Sequence, residues 1–463
     1  MISKNILFSL AFSLVSFMMI LTSCSESSLK VGVGETVITP DINIQMAGFA
    51  RSQVSTGVHD DLHARSLVVE DADENVVLLM TVSLVGVSSQ MAERIREGIE
   101  AKIGIPGEKI IITATHTHAG PRIKEGSSYS NFVIDKCVES AVIAWESRVP
   151  GRVGIEATEV FELGRNRRRL LYGGLHPDPE VAVIKIEDEK GRLLGVAFNY
   201  GCHPSGLDWQ NTLISEDWPY FAIREIKSVV GEHVWVAYYQ GAEGNINVGY
   251  SAELSAVGAE MPVRNYWYIE KKGNQMAEAI LKILPTMKTS NDQIVKTTYD
   301  KFDYPLRNSY PVTVEEAEKN LSEAKNRLEN LERNPEFSHT RTLDNARVEV
   351  FAENQKLNAA ERFFNRGQHS QTITVEQQAV RIGDAVFVTF PGELFAEIGL
   401  KIKDSSPYDK TFIIGLTAGG KGYLPAANEF IDGDYEVDGS VYGIQTEDAC
   451  VNFSLELIKD VAY

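Results

Sequence analysis

Histidine occurs nine times in this 463-residue chain, and three of the nine fall in two short runs that close apolar stretches. One run is Thr115-His116-Thr117-His118-Ala119-Gly120-Pro121. The other is Asn199-Tyr200-Gly201-Cys202-His203-Pro204-Ser205. Neutral imidazole is the commonest metal ligand, and a catalytic zinc keeps three protein ligands and one open position. If a strand runs through His116 and His118, the two rings face one site together, because alternate residues of a strand share a side. His203 follows a second apolar run and opens a turn. Strand ends are where α/β folds place ligands, although a purely structural histidine fits that position equally. The chemistry these residues suggest is metal-assisted hydrolysis.

Three other places hold candidate groups. Glu393 follows the apolar run Ala385–Thr389 and the turn Phe390-Pro391-Gly392, as a metal ligand or as a helix-start acid favoured by the dipole. Tyr423 follows the glycine-rich Ala418-Gly419-Gly420-Lys421-Gly422. Arg167 sits in Gly164-Arg165-Asn166-Arg167-Arg168-Arg169, either a solvated basic patch or a guanidinium aimed at a developing oxyanion. Cys202 reads as a small buried residue. Three lookalikes fail. Gly415–Gly422 resembles a phosphate loop, but Gly422 stands where Ser or Thr is needed. Gly32-x-Gly34 lacks its third glycine. Neither Gly-x-Ser-x-Gly nor His-Glu-x-x-His occurs.

The elements that must position these groups read as alternating strands and helices. Strands are expected at Leu67–Val69, Val76–Val82, Ile110–Ala114, Val181–Ile186, Gly195–Tyr200, Val234–Tyr239, Ala379–Ile382, Ala385–Thr389 and Phe412–Leu416. Amphipathic helices are expected at Met91–Ile103, Asn131–Trp145, Trp218–Val230 and Tyr268–Leu284. The fold class is α/β, with mixed sheets forming a core flanked by helices. Residues 313–366 are charged, glycine-free and interrupted by Pro335 up to Phe364. They read as a helical hairpin inserted beside the core, a solvated face with no chemistry of its own. Residues 31–463 are expected to form one hydrolase domain.

The N-terminus reads as a targeting segment. Lys4 precedes the apolar run Ile6–Leu21, and Leu21-Thr22-Ser23-Cys24 resembles a bacterial lipobox. Residues 1–23 are then a lipoprotein signal peptide and residues 24–30 a tether lipidated at Cys24. The protein would be exported across the inner membrane and anchored to a bacterial membrane surface. A net charge of −19 argues against nucleic acid as a partner. Cys137, Cys202 and Cys450 make no disulfide framework, and their pairing is not legible. Oligomeric state is not legible either.

Taken in order, these motifs resemble the neutral ceramidase family, zinc-dependent amidases. The resemblance runs over most of residues 31–450. It includes Val31–Pro40, Met46–Ala50, Gly57–Arg65, the His116 run, Asn166-Arg167, the His203 run, Gln240–Asn247, Phe390–Glu393 and the Tyr423 region. It implies zinc held by His116, His203, Glu393 and Tyr423. It implies that His118 assists the attacking water, and that Arg167 and Tyr435, twelve residues beyond Tyr423, assist at the substrate carbonyl. The expected reaction cleaves the amide of ceramide or a related N-acyl lipid to a fatty acid and a free amine. The chain departs from the family pattern at Ala119-Gly120-Pro121-Arg122 and at Leu424–Phe430. It also ends before the C-terminal immunoglobulin-like domain the family carries, so none is expected. These departures bear on the substrate pocket. The rival readings are a zinc amidase or esterase acting on an N-acyl or O-acyl sugar, and a non-catalytic surface binding protein on the same fold.

Overall fold

Buried strands in this chain send alternate side chains to two different partners, and that alternation sets the layering. The computed structural model describes residues 29–49, 51–259, 264–366, 371–417 and 419–462. The expected signal segment and Cys24 lie outside the described residues. In the strand Val76–Val82, Leu78, Met80 and Val82 pack with the helices Ser89–Ile103 and Ser128–Glu146, while Val77 and Leu79 face a second sheet. In that second sheet, Phe387, Phe412 and Ile414 face back, while Val386, Val388 and Ile413 pack on the helices Ala396–Ser405 and Thr446–Asp460. The result is four layers: helices, sheet, sheet, helices.

The larger sheet has eight strands, in the spatial order Trp235–Gln240, Leu193–Tyr200, Glu180–Asp188, Val149–Glu159, Lys30–Val37, His63–Glu70, Val76–Val82, Ile110–Ala114. Its interior pairs are antiparallel, and the pair at each edge is parallel. The smaller sheet runs Val295–Pro305, Thr372–Ile382, Ala385–Thr389, Lys410–Ile414, again ending in a parallel pair. Strands expected at Val76–Val82, Ile110–Ala114 and Ala385–Thr389, and the helix at Trp218–Val230, stand at those residues. The expected mixed α/β architecture is the one observed.

One expected boundary is corrected. Leu29 and Lys30 are not tether: Leu29 is fully buried and Lys30 opens a strand, because an apolar side chain here reaches the core between the sheets. The strand Lys30–Val37 escaped the sequence pattern because Gly32 and Gly34 interrupt it. A Cβ at either would collide with the carbonyls of Ala144 and Ser140 on the helix lying across it. No described helix is long and apolar enough to cross a membrane. Cys137, Cys202 and Cys450 are buried and unpaired.

The segment Gly57–Arg65 gains a structural role. Asp60 accepts hydrogen bonds from the Ser215 hydroxyl at 2.6 Å and the Glu216 amide at 2.7 Å. Glu216, buried, accepts from Arg65 Nη1 at 2.7 Å and Ser83 Oγ at 2.5 Å. Asp217 caps the next helix from Trp218 N and also accepts from Gly206 N and Leu207 N, pinning the loop that follows His203. Burial pushes the Glu216 carboxyl up, but the Arg65 guanidinium outweighs it and holds the group well below the usual carboxylate range. A depressed carboxyl contributes stability in full above its unfolded pKa and loses it as pH falls toward the folded one. Glu216→Gln, which leaves Arg65 with Glu35 as its remaining carboxylate partner, is expected to lower unfolding free energy at pH 7 by about 3 kcal/mol in urea titrations. The deficit should shrink as pH is lowered below the unfolded carboxylate pKa, and a pH-independent deficit would contradict this account.

Candidate metal centre

His116, His203 and Glu393 stand within four residues of a strand's C-terminal end, and Tyr423 stands further along the segment after one. His116 follows Ile110–Ala114, His203 follows Leu193–Tyr200, Glu393 follows Ala385–Thr389 and Tyr423 follows Lys410–Ile414. Hydrogen bonds draw these ends together. Asn199 Nδ2 donates to the carbonyls of Tyr239, Gln240 and Ile413. Gly415 N donates to Gln240 O, and Thr113 Oγ1 donates to Gly415 O. The strand Lys410–Ile414 thus meets both edges of the curled larger sheet.

His116 and His118 do not share a face through strand alternation, as the sequence suggested. The strand stops at Ala114, and His116 has φ +71°, a left-handed conformation that a branched chain rarely takes. The kink is held by His116 N donating to Leu84 O at 2.9 Å and Nδ1 donating to Val85 O at 2.5 Å. It still brings the rings together. Centroids of His116 lie 4.9 Å from His118 and 4.8 Å from His203, with His118 and His203 5.7 Å apart.

In His203, Nδ1 donates to Ile246 O at 2.8 Å and to Glu243 O at 3.1 Å. Carbonyls therefore take the Nδ1 proton of both His116 and His203, leaving the Nε2 lone pairs free. Both Nε2 atoms turn to one carboxylate oxygen, Glu393 Oε2, at 3.2 Å from His203 and 3.6 Å from His116. Burial lowers His203 to about 4, assisted by the Arg167 charge, so it is neutral at pH 7. Burial also lowers His118 well below its ordinary value, with the neighbouring imidazoles adding to the shift. Both ring nitrogens of His118 are inaccessible and without a partner. Its ring is edged by Phe49 at 4.9 Å and pressed against Gly48, where a Cβ would collide. Converging lone pairs and an orphaned imidazole are the surroundings a divalent cation and a water would satisfy. One ligand atom each from His116, His118 and His203 lie within 4.8 Å of one another, a group able to hold a metal ion.

Arg167 is buried rather than a solvated patch. Its Nε donates to Glu436 at 2.6 Å, Nη2 to Gly244 O at 2.8 Å and to the Tyr423 hydroxyl at 3.2 Å, and Nη1 lies 3.3 Å from His203 Nε2. Tyr423 pairs with Glu393 across a short parallel bridge, which fixes the two side by side. Tyr435 lies edge-on to Tyr423 at 5.7 Å. Burial raises Tyr435 to about 12 and Tyr423 well above its ordinary value, with Glu393 second in each case, so both phenols keep their protons at neutral pH.

Sequence reasoning assigned no role to three residues here. Glu436 orients Arg167. Glu243 is fully buried with both oxygens unpartnered, and burial together with the Glu393 charge pushes its carboxyl well up. Gln240 spans the two histidine runs. Its Nε2 donates to Thr115 O at 3.1 Å and Cys202 O at 3.2 Å, and its Oε1 accepts from Cys202 N at 3.1 Å. The only signal for Gln240 and Glu243 was the run Gln240–Asn247. Nothing local marks Glu436 beyond its place after Tyr435.

Three imidazoles, a carboxylate held well below its ordinary value and two phenols held above theirs gather around one point, a site equipped to bind a cation, move a proton and donate to an oxyanion. Residues 29–233 match the family described as neutral/alkaline non-lysosomal ceramidase, N-terminal. The chain is 28% identical over 239 residues to a neutral ceramidase of Drosophila melanogaster, covering 45% of this chain and 33% of that protein. It is 27% identical over 232 residues to a neutral ceramidase of Mycobacterium tuberculosis, covering 44% and 36%. The chain thus matches about a third of the length of these curated relatives. Its fold superposes on the crystal structure of the neutral ceramidase from Pseudomonas aeruginosa with a TM-score of 0.72 at 19% identity, covering 94% of this chain and 75% of that one. A ceramidase complexed with C2 superposes with a TM-score of 0.69 at 17% identity, covering 93% and 75%. Over residues 29–233 the chain is thus similar in sequence to neutral ceramidases, and over most of its length it shares the fold of the solved ones. Glu393, Tyr423 and Tyr435 lie beyond the matched residues 29–233.

Gln240→Glu preserves shape but turns an amide donor into an acceptor facing the Thr115 and Cys202 carbonyls. It is expected to weaken the affinity for an added divalent ion about 10–100-fold, read with zinc as the probe by competition with a chromophoric chelator. Unchanged affinity would remove Gln240 from the support of the site.

Proposed function

We propose that this chain hydrolyses the amide bond of ceramide or a related N-acyl lipid, releasing a fatty acid and a free amine, with zinc as cofactor. The observation that carries this reading is the approach of His116 Nε2 and His203 Nε2 to Glu393 Oε2, within 3.6 Å, beside the unpartnered ring of His118. His116, His203, Glu393 and Tyr423 would hold the ion. When bound, zinc supplies Lewis acidity to the amide carbonyl and lowers the pKa of water toward ~7.

The chain's own residues do the rest. His118, neutral at pH 7, takes a proton from the attacking water and passes it to the departing nitrogen. Arg167 holds the Tyr423 hydroxyl and sets positive charge beside the reacting carbonyl. Tyr435, protonated at neutral pH, donates to the oxygen on which charge develops. Lipidation at Cys24 would present the site to a membrane surface. A second reading, hydrolysis of an N-acyl or O-acyl sugar, is favoured by the polar Asp434 and Asp438, which flank Tyr435 in the chain and have Lys356 in their field.

The decisive assay is release of fatty acid from a fluorescent ceramide by zinc-loaded protein beginning at Ser25, with and without chelator. Chelator-sensitive release is expected. No release from protein that binds one zinc would move the assignment to the sugar reading. His118→Ala is expected to lose ~10²–10⁴ in kcat while still binding zinc in calorimetric titration, because Glu393 and Tyr423 complete the ligand set. Loss of zinc in that variant would make His118 a ligand instead of a base.

A further inference from the structure

The helix Tyr435–Gly439 carries both Tyr435 and Glu436, yet it cannot hold itself. It has five residues, no side-chain N-cap, and starts from Asp434 at φ +74°. Isolated helices below about 12 residues are marginal in water even with favourable sequences. Something else must fix it, and the structure shows what does.

The helical hairpin, Val314–Glu332 and Arg341–Asn365, is tied to this short helix at three points. Just before the hairpin, the Tyr310 hydroxyl donates to Asp438 O at 3.2 Å. Just after it, Arg366 Nη2 donates to Arg307 O at 2.8 Å, and Arg307 Nη2 donates to Val437 O at 3.3 Å. Midway along the second helix, the Phe351 ring stacks on Tyr435 at 5.9 Å and 27°. One turn on, Lys356, paired with Glu353 at 3.0 Å, lies in the field of Asp438 and Asp434. The hairpin is stiff enough to bear on its neighbour. A Thr313/Glu316 capping box starts it, and Arg327 bridges to Glu349 between its helices through two donors. From Tyr435 the contacts continue inward, to Tyr423 at 5.7 Å and through Glu436 to Arg167 at 2.6 Å.

We propose that the hairpin is a clamp that positions Tyr435, and that Phe351 is its positioning residue. The catalytic meaning of that contact rests on the hydrolase reading above. The positioning does not.

The test uses the full chain with 3-fluorotyrosine at position 435, its fluorine resonance recorded by NMR, alongside kinetics and zinc content on unlabelled protein. Phe351→Ala is expected to shift and broaden the fluorine signal, to lower kcat about tenfold with zinc stoichiometry unchanged, and to leave KM nearly constant. Phe351→Tyr, which keeps the ring, should restore both signal and rate. In a Tyr435→Ala background, Phe351→Ala should cost nothing further, because its effect passes through the missing ring. A fluorine signal unmoved by Phe351→Ala, or losses that simply multiply in the double variant, would overturn the proposal. If the wild type turns over no N-acyl lipid, the lipid-amide reading fails. The fluorine signal alone then decides whether the clamp stands.

Discussion

One side chain joins the two halves of the site. Gln240 ends one edge strand of the larger sheet, and Thr115 follows the strand at the opposite edge, yet Gln240 Nε2 donates to Thr115 O. The sheet must therefore curl until its edges meet. The same amide takes both backbone groups of Cys202, next to His203, and accepts from the Tyr238 hydroxyl at 2.5 Å. A fully buried amide with all its capacity engaged is rigid in a way an exposed one is not, because every lost bond strands a desolvated partner. His116 and His203 lie one residue beyond the groups it binds. Their separation is thus set by a single planar side chain, and the smaller sheet fills the seam that the curl leaves open.

The same buried setting drives two carboxyls apart. Glu393 and Glu243 are both desolvated, which raises each, and they repel one another. For Glu393 the influence of His116, then of His203, outweighs burial and holds the carboxyl well below its ordinary value. The Glu243 carboxyl, desolvated and beside Glu393, is pushed well above its ordinary value. Like-charged neighbours in low dielectric disfavour each other's ionisation, and the two carboxyls are shifted in opposite directions. The backbone carbonyl of Glu243 still orients His203, so this residue acts through its main chain where Glu393 acts through its side chain.

Much of this was legible in sequence where a local pattern was sufficient. Buried runs such as Val76–Val82 and Ala385–Thr389 announce strands because every position is apolar, and the ordered motifs pointed to the family before any coordinates. The strand Lys30–Val37 did not announce itself, since its glycines answer to a helix more than a hundred residues away. The geometry of His116 was misread because alternation assumes the strand continues, and a left-handed residue cannot be seen in a Thr-His-Thr-His run. The hairpin was read as solvated from its charge. Charge does mark its outer face, but Phe351 lies on the inner one, and one aromatic among many polar residues gives no periodic signal.

The strain at His116 fits the same pattern of dependence. A non-glycine residue in the left-handed region costs about 1–2 kcal/mol, and such conformations persist where surroundings over-determine them. Here two carbonyls, of Leu84 and Val85, hold the residue from both its backbone and its ring. An extended residue at this position would follow the strand past the site, and its Nε2 would not meet Glu393. The site therefore draws on stability stored elsewhere: in the Arg65–Glu216 pair beneath the His203 loop, in the amide of Gln240, and in the clamp on Tyr435. None of these touches the point where the lone pairs converge, yet each removes a freedom that its residues would otherwise have.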